Sequence, residues 1–392
     1  MDRARIHEGI RQMRFENVFG RWERSELSQP EAAELLGIGE RTFRRWCVRR
    51  RDDAACGLKD RRLGPSPLRA SVAEIERMLG LYRDIYRGYT VQHFHEKLVA
   101  RHNYKLGYTV TKLHLHRAGL VAQAKKRSAH RKKRPRRPMI GMMLHQDASP
   151  HAWLAGSGRS HDLVVTLDDA TGAIYSAFLV DEEGTASSFR GLREVVAKHG
   201  LFCSLYTDRG SHYFFTPETG GKVSKTILTQ VGRALKQLGI QAIPAYSPQA
   251  RGRSERAFRT LQDRLPKELK LAEIDTVEAA NRWLEASYIP AYNLRFAIEA
   301  EQAETAFVAD ATGLWRETLC VHEDRVVGND NTVQWHRLSL QLPPSRLRPH
   351  FVKATVRVHE YPDGAISVHL GPHRLADYDA SGVAVQPDRQ AA

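Results

Sequence analysis

From residue 142 the hydrophobic period stops being helical and begins to alternate between strand-like and helix-like segments, and this alternation constrains the fold more than any other feature. The apolar run Met142-Met143-Leu144-His145-Gln146-Asp147 precedes two β-rich runs, Asp162 to Leu167 and Ala173 to Val180, joined by the turn Asp168-Asp169-Ala170-Thr171-Gly172. Ser187 to His199 reads as a helix, Leu201 to Thr207 as a buried strand, Ile227 to Leu238 as a helix and Gln241 to Pro244 as a short strand. Ser247 to Arg259 is helix-like again. The order β-β-β-α-β-α-β-α builds a mixed sheet with helices on both faces.

Three carboxylates stand out against that frame. Asp147 closes the first apolar run, Asp208 follows Leu205-Tyr206-Thr207, and Glu255 lies in the last helical stretch. Two strand ends and a helix can converge on one point. Converging carboxylates repel one another unless cations lie between them, and hard oxygen ligands suit Mg²⁺, which keeps positions open to phosphate oxygens. Each carboxylate alone has a plainer role: Asp147 and Asp208 could cap strand ends, and Glu255 could pair with Arg251 or Arg259 one turn away. Asp168 and Asp169 sit in a turn, where Asp bonds locally, and are read as turn formers.

In order and context, four pieces resemble the DDE transposases and integrases: His145-Gln146-Asp147-Ala148-Ser149, the strand pair around Leu167-Asp168-Asp169-Ala170-Thr171-Gly172, Tyr206-Thr207-Asp208-Arg209-Gly210-Ser211, and Ser247 through Glu255-Arg256. Tyr292-Asn293-Leu294-Arg295 is similar to the Tyr-Asn-x-Arg element that follows the core in insertion-sequence transposases. The resemblance covers residues 140 to 300 and departs at Phe214 to Lys225, an apparent insertion, and at Arg295-Phe296-Ala297, where relatives continue with Pro-His. It implies an RNase H-like catalytic core over 141–300 in which Asp147, Asp208 and Glu255 are catalytic and hold two Mg²⁺ ions, for which Mn²⁺ substitutes. Such ions lie roughly 3.5 to 4 Å apart and stabilise the attacking and leaving oxygens of an in-line displacement. Water first frees a 3′-hydroxyl at the end of a mobile element, and that hydroxyl then attacks target DNA. The implied partners are double-stranded DNA, as element ends and as target, and further copies of the chain in a homo-oligomer on DNA. His212, just beyond Asp208, is read either as a phosphate contact or as a surface histidine.

Composition points independently to a polyanion. The net charge is +15 and the pI about 9.8, and Lys or Arg side chains that neutralise phosphates gain affinity by releasing counterions. No apolar run approaches the roughly 20 residues of a membrane span, and the N-terminus lacks a signal-peptide core, so a cytoplasmic, nucleoid-associated protein is expected. Cys47, Cys56, Cys203 and Cys320 are too few and scattered to staple a fold and are read as reduced thiols. The histidines His93, His95, His114 and His116 raise the question of a zinc site, but no Cys-x-x-Cys accompanies them.

The expected architecture is multidomain: N-terminal all-α helix-turn-helix units, the central α/β core and a C-terminal small β-barrel. In residues 1–63, Leu27 to Ile38 forms a helix ended by Gly37, and a turn through Gly39 leads to a second helix whose Phe43 and Trp46 face inward. Its Arg41, Arg44 and Arg45 then face DNA as on a recognition helix, the alternative being a hairpin with a solvated basic face. After Gly64-Pro65-Ser66-Pro67, residues 68–122 read as a second such unit or as a dimerisation bundle. Ser71 opens its first helix, and the helix from Tyr108, capped by Thr109 or Thr111, offers Thr111, Lys112 and His114 to DNA. The basic linker 123–140 carries Lys132, Lys133, Arg134, Arg136 and Arg137, a block that stays extended until it meets phosphate. Arg251 and Arg253 beside Glu255 are further DNA contacts. Short alternating runs in 318–380, with a turn at Pro362-Asp363-Gly364, suggest the barrel. A DNA transposase is the expected function, with a non-catalytic regulator and a nuclease of the same fold as alternatives.

Overall fold

The computed structural model describes residues 3–52, 70–123, 134–155, 158–218, 221–246, 252–345 and 348–385. Lys132, Lys133, Arg251 and Cys56 lie outside the described residues. The chain divides into two units, Met1–Arg87 with Phe94–Ala122, and Gly88–His93 with Gln123–Ala392. No described helix is long and apolar enough to cross a membrane.

In the first unit, apolar residues at helical spacing bring α1 (Arg3–Glu23), α2 (Gln29–Leu36) and α3 (Glu40–Asp52) around Phe15, Phe19, Ala32, Phe43 and Cys47. The Glu31 carboxylate accepts from the Ser28 amide at 2.7 Å and from its hydroxyl at 2.6 Å, which closes the start of α2. Gly37, at φ 65°, turns the chain into α3. Arg41, Arg44 and Arg45 are left exposed on α3, opposite buried Phe43 and Cys47.

The other helices are α4 (Val72–Asp84), α5 (Val91–His102) and α6 (Tyr108–Arg117). Ser71 caps α4 by accepting from the Glu74 amide, as expected. The N-cap of α6 is Gly107 and not Thr109 or Thr111. Thr111 is fully buried and hydrogen-bonded to Tyr104 and to His95 Nδ1. The DNA contact expected of Thr111 is therefore corrected: a threonine enclosed in this way cannot reach a duplex, whereas Lys112 is exposed and His114 half-buried.

The second unit opens with β1 (Leu144–His151), β2 (His161–Asp168) and β3 (Ile174–Val180), then α7 (Thr185–His199), β4 (Ser204–Thr207), α8 (Gln230–Gln237), β5 (Gln241–Pro244) and α9 (Gly252–Leu271). This is the order expected from the sequence. The sheet runs β3-β2-β1-β4-β5, antiparallel through β3, β2 and β1, and parallel from β1 to β4 and from β4 to β5. One face packs on α7 and α8 through Leu144, Phe189, Leu192, Leu205, Val231 and Leu235. The other packs on α9, α10 (Val277–Trp283) and α11 (Ile289–Phe296) through Leu163, Val165, Phe258, Leu261 and Leu265. A π-helical turn, Leu284–Tyr288, joins α10 to α11. Gly191 lets α7 lie close to the sheet, since a Cβ there would stand 2.6 Å from Gln146 Nε2.

The sheet edge at β3 is closed by two asparagine amides. Asn293 accepts from the Ile174 amide at 2.8 Å and donates to its carbonyl at 2.7 Å, and Asn281 does the same at Leu179. An unpaired edge strand invites association with other strands, and these amides occupy its free groups. The Tyr-Asn-x-Arg element thus has a structural task here: Tyr292 fills the core and Asn293 seals the edge.

Then follow α12 (Trp315–Thr318), β6 (Val321–Val326), β7 (Thr332–Trp335), β8 (Leu338–Gln341), β9 (Thr355–Glu360), β10 (Ile366–Leu370), β11 (His373–Tyr378) and β12 (Ala384–Val385). The strands expected as a small barrel form an open five-stranded sheet, β12-β11-β10-β9-β6, and a two-stranded sheet, β7-β8, around Trp335, Phe351, Val358 and Val368. No pairing among the described residues joins β12 back to β6.

Candidate active site

Asp147 is the fourth residue of an eight-residue strand and so lies inside β1, not at its end as the sequence suggested. Asp208 does sit immediately beyond β4. These strands run parallel with His145 opposite Tyr206, so two residues further on Asp147 and Asp208 stand level on neighbouring strands. The His145 and Tyr206 rings meet 5.1 Å apart, and two-residue alternation puts Asp147 and Asp208 on their respective sides.

The helix carrying Glu255 crosses this face. Arg253 Nε is 2.5 Å from Asp169 Oδ1, which accepts from His145 Nε2 at 2.8 Å. Nine residues on, Gln262 donates to Ser149 Oγ at 2.9 Å. His145, Asp147 and Ser149 share one side of β1, so α9 runs along that side and brackets Asp147. Glu255, exposed in the first turn, lies two turns before Gln262 on the same flank of the helix. Among the described residues the three carboxylates do not have their ligand atoms all within 4.8 Å of one another; two other groups do, both beside the C-terminal sheet.

The backbone holds the two aspartates individually. Asp147 Oδ1 accepts from the Ala148 amide at 3.1 Å, and Asp208 Oδ1 from the Gly210 amide at 2.8 Å. A Cβ on Gly210 would come within 3.0 Å of that same oxygen. Gln146, on the opposite side of β1, donates to Thr166 and to the Ser188 carbonyl and accepts from the Tyr213 hydroxyl at 2.9 Å. It thereby ties the segment after Asp208 to β1. His212 is half-buried, with Nε2 3.4 Å from Glu183, and is not a freely exposed surface group.

Asp168 and Asp169, expected as turn formers, do form the turn but carry more than that. Both are fully buried. Asp168 accepts from the Gly141 amide and from the amide and hydroxyl of Thr171, while burial raises its pKa. Asp168→Asn should retain cleavage and joining, because no reacting group depends on it. It should cost about 1 to 3 kcal/mol of stability, because the new NH₂ faces one of those donors, and urea unfolding beside a strand-transfer assay checks both outcomes.

Asp169 collects His145, Arg253, Arg134 and the Arg137 amide. Burial alone would raise its pKa, but the hydrogen bonds from His145 and the Arg137 amide and the charge of Arg253 together hold it well below the usual carboxylate range. Two expectations are corrected here. Arg253 is mostly buried against Asp169 and donates to the carbonyls of Arg134 and Pro135, so it anchors the helix and is not free for DNA. The described end of the basic linker is laid on the core, with Arg134 on Asp169 and Arg136 donating to the carbonyls of Asp169 and Ala170, because a buried carboxylate offers a better partner than water. The Arg137 side chain remains exposed. The network joins residues far apart in sequence, and its only local signal was an Asp-Asp pair between two apolar runs.

No family model matches the chain. Over 360 residues, 90% of this chain and 78% of the relative, it is 29% identical to a Sinorhizobium fredii protein described as "Putative transposase y4bF". Over most of its length the chain is thus similar to a transposase. Over 163 residues, 42% of this chain and 34% of the relative, it is also 37% identical to the transposase for insertion sequence IS1202 of Streptococcus pneumoniae. Among solved structures it is similar to the HTLV-2 integrase catalytic core domain in complex with magnesium, at 15% identity over 37% of this chain and 86% of that one, with a TM-score of 0.28.

Proposed function

We propose that the chain is a DNA transposase that binds the ends of a mobile element, cuts there and joins the freed ends to target DNA, with Asp147, Asp208 and Glu255 as its catalytic residues. The observation that carries this reading is the level placement of Asp147 and Asp208 on neighbouring parallel strands, with the first turn of α9 along the same side of β1. The donor set suits Mg²⁺, or Mn²⁺ in its place, because it consists of hard carboxylate oxygens. When bound, two such ions supply charge stabilisation of the attacking and leaving oxygens. The chain's own part is to hold the carboxylates: β1 and β4 fix two of them in register, Gly210 keeps Asp208 uncrowded, and Asp169 fixes the start of α9 through Arg253.

Recognition of the element's ends falls to exposed Arg41, Arg44 and Arg45 on α3 and to Lys112 and His114 on α6. Lys132, Lys133, Arg137 and Arg251 add phosphate contacts, and several copies assemble on the two ends. Arg41→Ala or Arg44→Ala is expected to weaken binding to the cognate end by about 1 to 3 kcal/mol with less effect on random DNA, measured by fluorescence anisotropy at fixed salt. Equal losses on both DNAs would make these arginines phosphate clamps.

The reading is tested with the purified chain, duplexes carrying the element's ends, a supercoiled target and Mg²⁺. Nicked ends and joined products are expected. Binding without cleavage would instead make the protein a regulator, and cleavage without joining a nuclease.

A further inference from the structure

At the start of the C-terminal sheet, Cys320, His322 and His359 each bring one ligand atom to within 4.8 Å of the others. His322 and His359 are cross-strand partners on β6 and β9, their rings stacked 3.9 Å apart, and Cys320 immediately precedes β6. Hydrogen bonding decides which imidazole nitrogens carry lone pairs. The Glu317 carbonyl can only accept, so His322 Nε2 donates to it at 2.7 Å, and His322 Nδ1 is left buried with no hydrogen-bond partner. His359 Nδ1 faces the Glu317 carboxylate at 3.1 Å, which leaves Nε2 as its free lone pair. Glu317 also accepts from the Tyr361 hydroxyl at 2.5 Å, and His369 Nε2 is engaged with Ser367 Oγ at 2.8 Å. These two groups therefore support the cluster and do not complete it.

We propose that Cys320, His322 and His359 form a second metal site, separate from the carboxylates, that takes a zinc-class divalent ion. Thiolate and imidazole select such an ion over Mg²⁺, and three protein ligands leave a fourth position open. A carboxylate gripping the far nitrogen of a ligating histidine, as Glu317 grips His359, is the usual outer support of a zinc ligand and sets its tautomer. A thiol ligates as its thiolate, so binding would displace the Cys320 proton. A cavity of about 500 Å³ lined by Glu317, Thr318, His322 and His359 gives an ion access.

The ligands lie where the C-terminal sheet meets the catalytic core. From α8, Arg233 donates to the Cys320 carbonyl at 2.6 Å, and Gln230 bonds both backbone groups of His322. An ion here would staple β9 to a strand already clamped by the core.

The test uses the full-length chain in excess Mg²⁺. One equivalent of zinc per chain by elemental analysis is expected, retained in Asp208→Asn and lost in Cys320→Ser and His359→Ala. Replacement by Co²⁺ should produce a thiolate-to-cobalt charge-transfer band that disappears in Cys320→Ser. If the variants do not fold, the unaltered chain still decides: no zinc equivalent, or cobalt bound without that band, overturns the proposal. Zinc retained in a folded Cys320→Ser variant overturns it equally.

Discussion

Asp208→Asn is expected to abolish Mg²⁺-dependent cleavage and joining while leaving binding to the element's ends nearly unchanged. The amide keeps the side chain's shape, and its oxygen can still accept from the Gly210 amide, so the turn after β4 survives. What is lost is the negative charge that attracts a divalent ion. Loss of one preorganised electrostatic contributor costs roughly 100- to 1000-fold, and a metal ligand is no weaker a contributor. Asp147→Asn and Glu255→Gln should behave alike, because the proposed function assigns all three groups to one site. A strand-transfer assay paired with end binding checks this. Wild-type joining rates in any of the three variants would remove that residue from the catalytic set.

Asp169→Asn should cost the second unit roughly 3 to 5 kcal/mol, the scale for breaking one partner out of a buried ion network. The change leaves Arg253, 15% exposed at its side chain, without a countercharge, and weakens the acceptor that faces the buried His145 ring, 1% exposed and kept neutral by burial. Arg134 adds little to that cost, because its side chain is 43% exposed and water can take over. The folded pKa of Asp169 lies below its unfolded value, so its contribution is fully present above about pH 4 and is lost only as pH falls through the lower folded pKa. The stability gap between wild type and variant should thus be the same at pH 8 and pH 7, where His145 is neutral in both, in urea unfolding. Joining should fall more than end binding, because the anchor of the α9 N-terminus is weakened. A stability change within about 0.5 kcal/mol, the range of an ordinary surface substitution, would show that the network has no energetic role.

The order of strands and helices in the core was legible in the sequence, because each element announces itself by the period of its own side chains. The same holds for the turn at Asp168 to Gly172, the helical setting of Glu255 and the paired helices that expose Arg41 and Arg44. The four motifs also sufficed to suggest the superfamily. Tertiary structure decided everything that depends on which distant groups meet. Thr111 and Arg253 look like DNA contacts when only neighbours in sequence are considered, yet one is enclosed by Tyr104 and His95 and the other is held by a carboxylate more than eighty positions earlier. Asn281 and Asn293 could not be read as seals of a sheet edge until the sheet order placed β3 outermost. Cys320, His322 and His359 likewise became a cluster only through the pairing of β6 with β9. Periodicity is a property of a short window, whereas burial and electrostatic partnership are set by contacts that no window contains.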